Sequence, residues 1–173
     1  MNYKKLQLYW IDMKYIRDLQ NADKRVYSVS PQVGKQSRPY LGIIVMCGDQ
    51  KYCVPLTTPK TKHNKMKDKI DFTKIIVDGD FIAAINFSRM ILVESTHLSK
   101  VDTKIRKHDN ARLKERKELL SKELEWCNEH YEEIVNKANV LYSKYKSGEY
   151  FKRRNDCLDF VKLEIVCDAY KMK

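Results

Sequence analysis

The sequence predicts an α+β protein: a small antiparallel β-sheet or barrel core with an N-terminal helix, followed by a C-terminal helical region. Three observations carry this. Short apolar runs separated by turn signals fill the chain to about residue 94. From about Asp109 the apolar spacing alternates by four and three, as on one face of a helix. The 173 residues are 43% hydrophobic, enough to bury one core. We therefore read residues 1–173 as a single domain, β-rich over about 1–94 and helical over about 98–173.

The elements follow in order. Leu6 to Ile11 is rich in aromatic and branched residues and reads as a strand. Asp12 can cap a helix over Met13 to Gln20, with Tyr15, Ile16 and Leu19 inward. Asn21 to Arg38 is polar and lacks periodicity; a long irregular loop in a compact domain is often functional. Tyr40 to Cys47 is the best strand, Gly48-Asp49 turns, and Gln50 to Val54 returns as a hairpin. Asp71 to Val77 reads as a strand, although Asp71 to Lys74 could be one helical turn. Asp78-Gly79-Asp80 turns the chain, and Phe81 to Phe87 and Met90 to Val93 are further short runs. Leu120, Leu124, Cys127, Tyr131, Ile134, Ala138, Leu141 and Tyr145 form one stripe, expected to pack on the sheet, with a possible break near residues 128–130. Ser147-Gly148 is a stop, and a second helix is expected from about Asp156.

The net charge of +11 and a pI near 9.3 point to an acidic partner. Residues 1–100 hold 17 Lys+Arg and 9 Asp+Glu, whereas residues 101–173 hold 17 and 14. The excess lies in the first half. Five cysteines at irregular spacing match no zinc pattern and suit buried positions in a reducing compartment. A secretory leader and a membrane span are not expected, which leaves the cytoplasm. The four histidines are isolated, so we expect no metal site and no cofactor.

The densest chemistry lies in Lys51 to Lys69, KYCVPLTTPKTKHNKMKDK. Adjacent hydroxyls, Thr57 and Thr58, precede Pro59-Lys60 and a run holding Lys62, His63, Lys65, Lys67 and Lys69. A turn with a solvated basic loop is the plain reading. Hydroxyls at a strand end facing such a field also suit a phosphate. RNA carries its own nucleophile, the 2′-hydroxyl, beside the scissile phosphate. Cleavage then needs proton removal, stabilisation of the phosphorane and protonation of the leaving oxygen. Only His63 lies in the stretch, so a lysine must share the work. Neighbouring positive charges disfavour an ammonium ion, and Lys60 beside Lys62 is well placed. A non-enzymatic RNA-binding module would explain the basic loop equally well.

Ser37-Arg38-Pro39-Tyr40-Leu41-Gly42-Ile43-Ile44-Val45, then Lys51-Tyr52, Pro55-Leu56-Thr57-Thr58-Pro59-Lys60 and Ile85-Asn86-Phe87 resemble, in order, the ToxN/AbiQ family of type III toxin–antitoxin toxins. The resemblance implies a core like that of the Kid/MazF toxins and a metal-independent endoribonuclease. It also implies inhibition by a repeat-derived pseudoknot RNA antitoxin, cyclic protein–RNA assembly, and action on cellular or phage RNA in abortive infection. By position, Thr57, Thr58 and Lys60 match the family's active-site hydroxyls and lysine. Arg38 stands where a relative carries lysine. Lys35, Tyr40, Lys62, His63, Lys65, Lys67 and Lys69 are expected to bind RNA. The family's loop tyrosine has no clear match; Tyr27 is a distant candidate.

Overall fold

The computed structural model describes residues 6–27, 40–149 and 157–171. Of the expected functional loop, residues 28–38, with Lys35 and Arg38, lie outside these residues, as does the expected start of the last helix at Asp156; Asn21 and Ala22 belong to the N-terminal helix. Strand β1 is Leu8–Ile11. Helix α1, Met13–Ala22, starts at Asp12, whose carboxylate accepts the Lys14 N–H at 3.4 Å. Tyr15, Ile16 and Leu19 are buried as their spacing predicts. β2 (Tyr40–Cys47) and β3 (Gln50–Thr57) form the first hairpin. β4 (Phe72–Val77) and β5 (Asp80–Asn86) form a second. In that turn both Asp78 (φ 51°) and Gly79 (φ 84°) have positive φ, as a two-residue turn matched to strand twist requires. The strand option at residues 71–77 is therefore the one the chain takes.

Two short strands follow, β6 (Ile91–Leu92) and β7 (Leu98–Lys100). The sequence gives no hint of β7, because Leu98 is its one apolar residue. All pairings are antiparallel, and the seven strands run β4-β5-β3-β2-β1-β7, with β6 also on β3. Of the barrel and the sheet, the chain forms the sheet; β4 and β7 are its two ends.

β3 changes neighbours along its length. On one side it pairs with β2 through Pro55. On the other, Tyr52 and Cys53 face β6, while Leu56 and Thr57 face β5. Pro55 falls in the gap between those partners, where an interior strand can tolerate a missing N–H. Opposite it stands Gly42, where a Cβ would lie 2.5 Å from both the Val54 carbonyl oxygen and the Cys53 Sγ.

The helical stripe is two helices, α2 (Ala111–Glu129) and α3 (Tyr131–Lys146), separated at His130. His130 stacks on Trp126, and its Nδ1 lies 2.8 Å from the Trp126 carbonyl. α2 lies against β4 and β5, α3 against β2. Leu120, Cys127, Ile134, Ala138, Leu141 and Tyr145 are buried; Leu124 and Tyr131 are only half-buried. α4 (Phe160–Lys171) packs against α1 and β6. None of the five cysteines forms a disulfide, and four of them are buried.

Packing of α3 on the sheet makes a stability prediction. Leu141→Ala should cost about 2–5 kcal/mol in urea denaturation, because Leu141 is fully buried. Gly42→Ala should cost roughly 1–3 kcal/mol, since backbone rather than a flexible chain end blocks the methyl. A Leu141→Ala protein with parental stability would mean that α3 is not part of the core.

Candidate active site

Thr57 is the last residue of β3, half-buried; Thr58 and Lys60 beyond it are exposed. Residues facing each other across an antiparallel pair point to the same side of the sheet. Thr57 pairs with Ala84, and Ala84 pairs with Lys74. Thr57, Ala84 and Lys74 thus form one row across three strands. The next row, Leu56, Ile85 and Thr73, points the other way. There Thr73 Oγ1 accepts a hydrogen bond from Lys137 of α3 at 2.6 Å.

The chain then folds back over the Thr57 side. Thr61–Lys65 forms a short 3-10 helix. The Lys60 N–H donates to His63 Nδ1 at 3.0 Å, and the His63 N–H donates to the Lys60 carbonyl at 2.8 Å. His63 is 4% exposed and lies against the rings of Phe72 and Phe81. This clip fixes the backbone at Lys60 and leaves the lysine side chain in solvent. Lys74 ties the loop to β4: its Nζ donates to the Asn64 carbonyl at 3.3 Å, and its N–H donates to Asp68 Oδ1 at 3.1 Å. The same Nζ stands 5.4 Å from the centre of the Phe81 ring.

Two expected RNA-binding residues are placed elsewhere. His63 is a buried fastener, because the local geometry uses its ring to close the turn. Tyr40 is also 4% exposed; it opens β2 and donates its hydroxyl to the Arg89 carbonyl at 3.1 Å. Both side chains are therefore buried rather than on the surface. Lys62, Lys65, Lys67 and Lys69 are exposed, as a solvated basic loop requires. Tyr27 is half-buried, and its hydroxyl accepts a bond from the Asn86 amide at 2.9 Å. Lys74 was missed. Its only sequence signal is a cation inside an otherwise apolar strand, and its relation to Thr57 depends on register. Among the described residues no group of three His, Cys, Asp or Glu side chains is placed to hold a metal ion. No described helix is long and apolar enough to cross a membrane.

The profile of the family described as Toxin ToxN, type III toxin–antitoxin system, matches residues 7–168. The chain belongs to the ToxN family. It is 25% identical over 148 residues to Endoribonuclease ToxN of Pectobacterium atrosepticum, covering 83% of this chain and 84% of that one. It is 25% identical over 166 residues to Endoribonuclease ToxN of Bacillus thuringiensis subsp. kurstaki, covering 93% and 82%. Among solved structures, the lactococcal anti-phage endoribonuclease AbiQ superposes with a TM-score of 0.76 at 22% identity, covering 98% of this chain and 99% of that one. A chain from work on selective toxin inhibition by a non-coding RNA pseudoknot gives 0.78 at 22%, covering 98% and 100%. A third, from a bacterial antiviral system regulated by a processed non-coding RNA, gives 0.75 at 26%, covering 96% and 98%. The described residues of this ToxN-family chain therefore share the fold of these structures.

The clip has a pH dependence. Burial, then Lys62, Lys60 and Lys74, hold His63 below its ordinary 6.5. The folded chain thus binds this proton less readily than the unfolded chain. The clip's stabilisation is fully present above about pH 6.5 and is lost as pH falls below it. Parent and His63→Phe should therefore differ in thermal midpoint at about pH 8 and converge towards about pH 5. A difference that does not change with pH would remove the Nδ1 acceptor from the account.

Proposed function

We propose that this chain is a metal-independent endoribonuclease toxin. It cleaves RNA through the substrate's own 2′-hydroxyl, and processes and is inhibited by a repeat-derived pseudoknot RNA antitoxin. Its relatives' names support endoribonuclease activity and RNA control. The observation that carries the chemistry is the row of Thr57 and Lys74 beside a clipped, exposed Lys60. In this reading the two threonine hydroxyls donate to the nonbridging phosphate oxygens. Lys74 and Lys60 supply positive charge where the phosphorane develops it. The 2′-oxygen bonds to phosphorus as its proton leaves to a base, and the P–O5′ bond breaks as that oxygen takes up a proton. Lys60 serves as proton carrier or charge stabiliser. Arg38, which keeps charge and bidentate geometry, is assigned to charge stabilisation. Lys35, Lys62, Lys65, Lys67 and Lys69 are assigned to RNA phosphates. The setting is the bacterial cytoplasm, with cellular or phage RNA as target, abortive infection as outcome, and a cyclic protein–RNA assembly as the inhibited form.

Single-turnover cleavage of a repeat-containing RNA tests this. The products should carry 2′,3′-cyclic phosphate and 5′-hydroxyl ends, and EDTA should leave the rate unchanged. Lys60→Ala should slow cleavage by about 10²–10⁴ while keeping most RNA affinity, because many other cations still hold the backbone. Thr57→Ala and Thr58→Ala should fall between. Parental rates in folded Lys60→Ala would remove that lysine from the site. Products with 5′-phosphate ends would overturn the mechanism. RNA binding without any cleavage by the parent would make the chain an RNA-binding module.

A further inference from the structure

β4 and β5 leave regular register near their turn. Ile75 pairs with Ala83, but Ile76 pairs with Phe81, so Ile82 is an extra residue in β5. This is a β-bulge, a device that re-aims side chains beside functional sites. Its effect follows from strand alternation. Ala84 lies on the Thr57 side, so in a regular strand Ile82 would share that side and Phe81 would face the core. The extra residue inverts this. Ile76, two residues beyond Lys74, lies on the Thr57 side, and its partner Phe81 comes with it. The ring positions agree: the Phe81 ring stands 5.4 Å from Lys74 Nζ and 6.4 Å from the His63 ring.

Among the described residues the main core takes Ile75, Ala83 and Ile85 from these strands, and not Phe81 or Ile76. Phe81 is half-buried, and Ile76 is 49% exposed. A lone exposed isoleucine needs no explanation. An aromatic ring turned outward by a bulge, paired with that isoleucine and beside Lys74, has a use. Single-stranded RNA is held by cations along its backbone and by aromatic rings on which its bases stack. Here the two are adjacent, since Lys74 and Ile76 are two residues, about 7 Å, apart. The turn beyond bears Asp78 and Asp80, both exposed. Their charge repels phosphate, so the apolar pair is left to a base and the backbone to the lysines.

We propose that Phe81, buttressed by Ile76, is a stacking platform for an unpaired base next to the scissile phosphate, and so contributes to the choice of cleavage site. This deepens the RNA-cleaving reading above and rests on it. Phe81 takes no part in proton transfer. A purine offers more stacking area than a pyrimidine, so a purine gains more from the platform.

The experiment uses a short single-stranded RNA that the parent cuts at one bond. It is compared with the same RNA carrying an abasic ribose, 2′-hydroxyl kept, on the nucleotide 5′ or 3′ of that bond. Subsaturating single-turnover rates of the parent, Phe81→Leu, Phe81→Trp and Ile76→Gln are measured on each. One abasic position should slow the parent by about 5–150-fold, the equivalent of one lost base–aromatic stack. Phe81→Leu keeps an apolar contact for His63. It should lose a comparable factor on intact RNA and little more on abasic RNA. Phe81→Trp should restore the parental dependence on the base. Ile76→Gln should fall between, and because Ile76 is exposed it serves as the readout if Phe81→Leu misfolds. A parent that cuts abasic and intact RNA equally fast overturns the platform and leaves the cleavage reading standing. So does a Phe81→Leu protein slowed equally on intact and abasic RNA, which would make the ring a support for the Thr61–Lys65 turn. A parent that cuts no RNA overturns this inference and the proposed function together.

Discussion

The constraint on which this structure depends is that β3 must satisfy two sets of neighbours. Its first half is locked between β2 and β6; its last two residues pair with β5. Gly42 permits the close approach of β2 on one side, and Pro55 takes the position with no second partner on the other. A strand paired to its last residue holds Thr57 in register with Ala84 and Lys74. The small Ala84 side chain separates the two polar ones at a spacing of about two strands, roughly 10 Å. Without the partner change, β3 would end in the first hairpin and its hydroxyls would have no fixed relation to β4.

Much of the fold is legible because burial leaves a period. The run Tyr40 to Cys47 and the stripe from Leu120 to Tyr145 both announce themselves, since a buried face must repeat apolar residues at the pitch of its backbone. The break at His130 shows only as a cluster of polar residues, and β7 does not show at all. A short strand paired on β1 needs backbone groups more than side chains. The site divides in the same way. Thr57, Thr58 and Lys60 lie within four residues and carry a motif; Lys74 reaches Thr57 only through register across β5. His63 differs from its expected exposure for a third reason. His63 and His97 each sit three residues after a residue whose N–H they accept, Lys60 and Glu94. A side-chain acceptor used locally does not advertise itself in spacing, so a buried fastener looks like a solvated ligand.

The distribution of charge follows one rule in both basic segments. Asp68 accepts a backbone N–H from Lys74, and Asp102 and Asp109 accept backbone N–H groups from Lys104 and Arg106. In the stretches 60–69 and 100–117, Asp68, Asp102 and Asp109 therefore build loops, while most of the cations are exposed. A chain evolved only to stay soluble would gain from interleaving the two signs, because exposed opposite charges relieve self-repulsion. Here Asp68, Asp102 and Asp109 are withdrawn into the loops' own hydrogen bonds, and the resulting repulsion among lysines and arginines is tolerated. Such an arrangement is favourable only when the polyanion it faces repays that repulsion on binding. The fold and the partner are thus linked through the same side chains. Each of these carboxylates makes a loop rigid enough to present cations, and by engaging there it leaves those cations uncompensated.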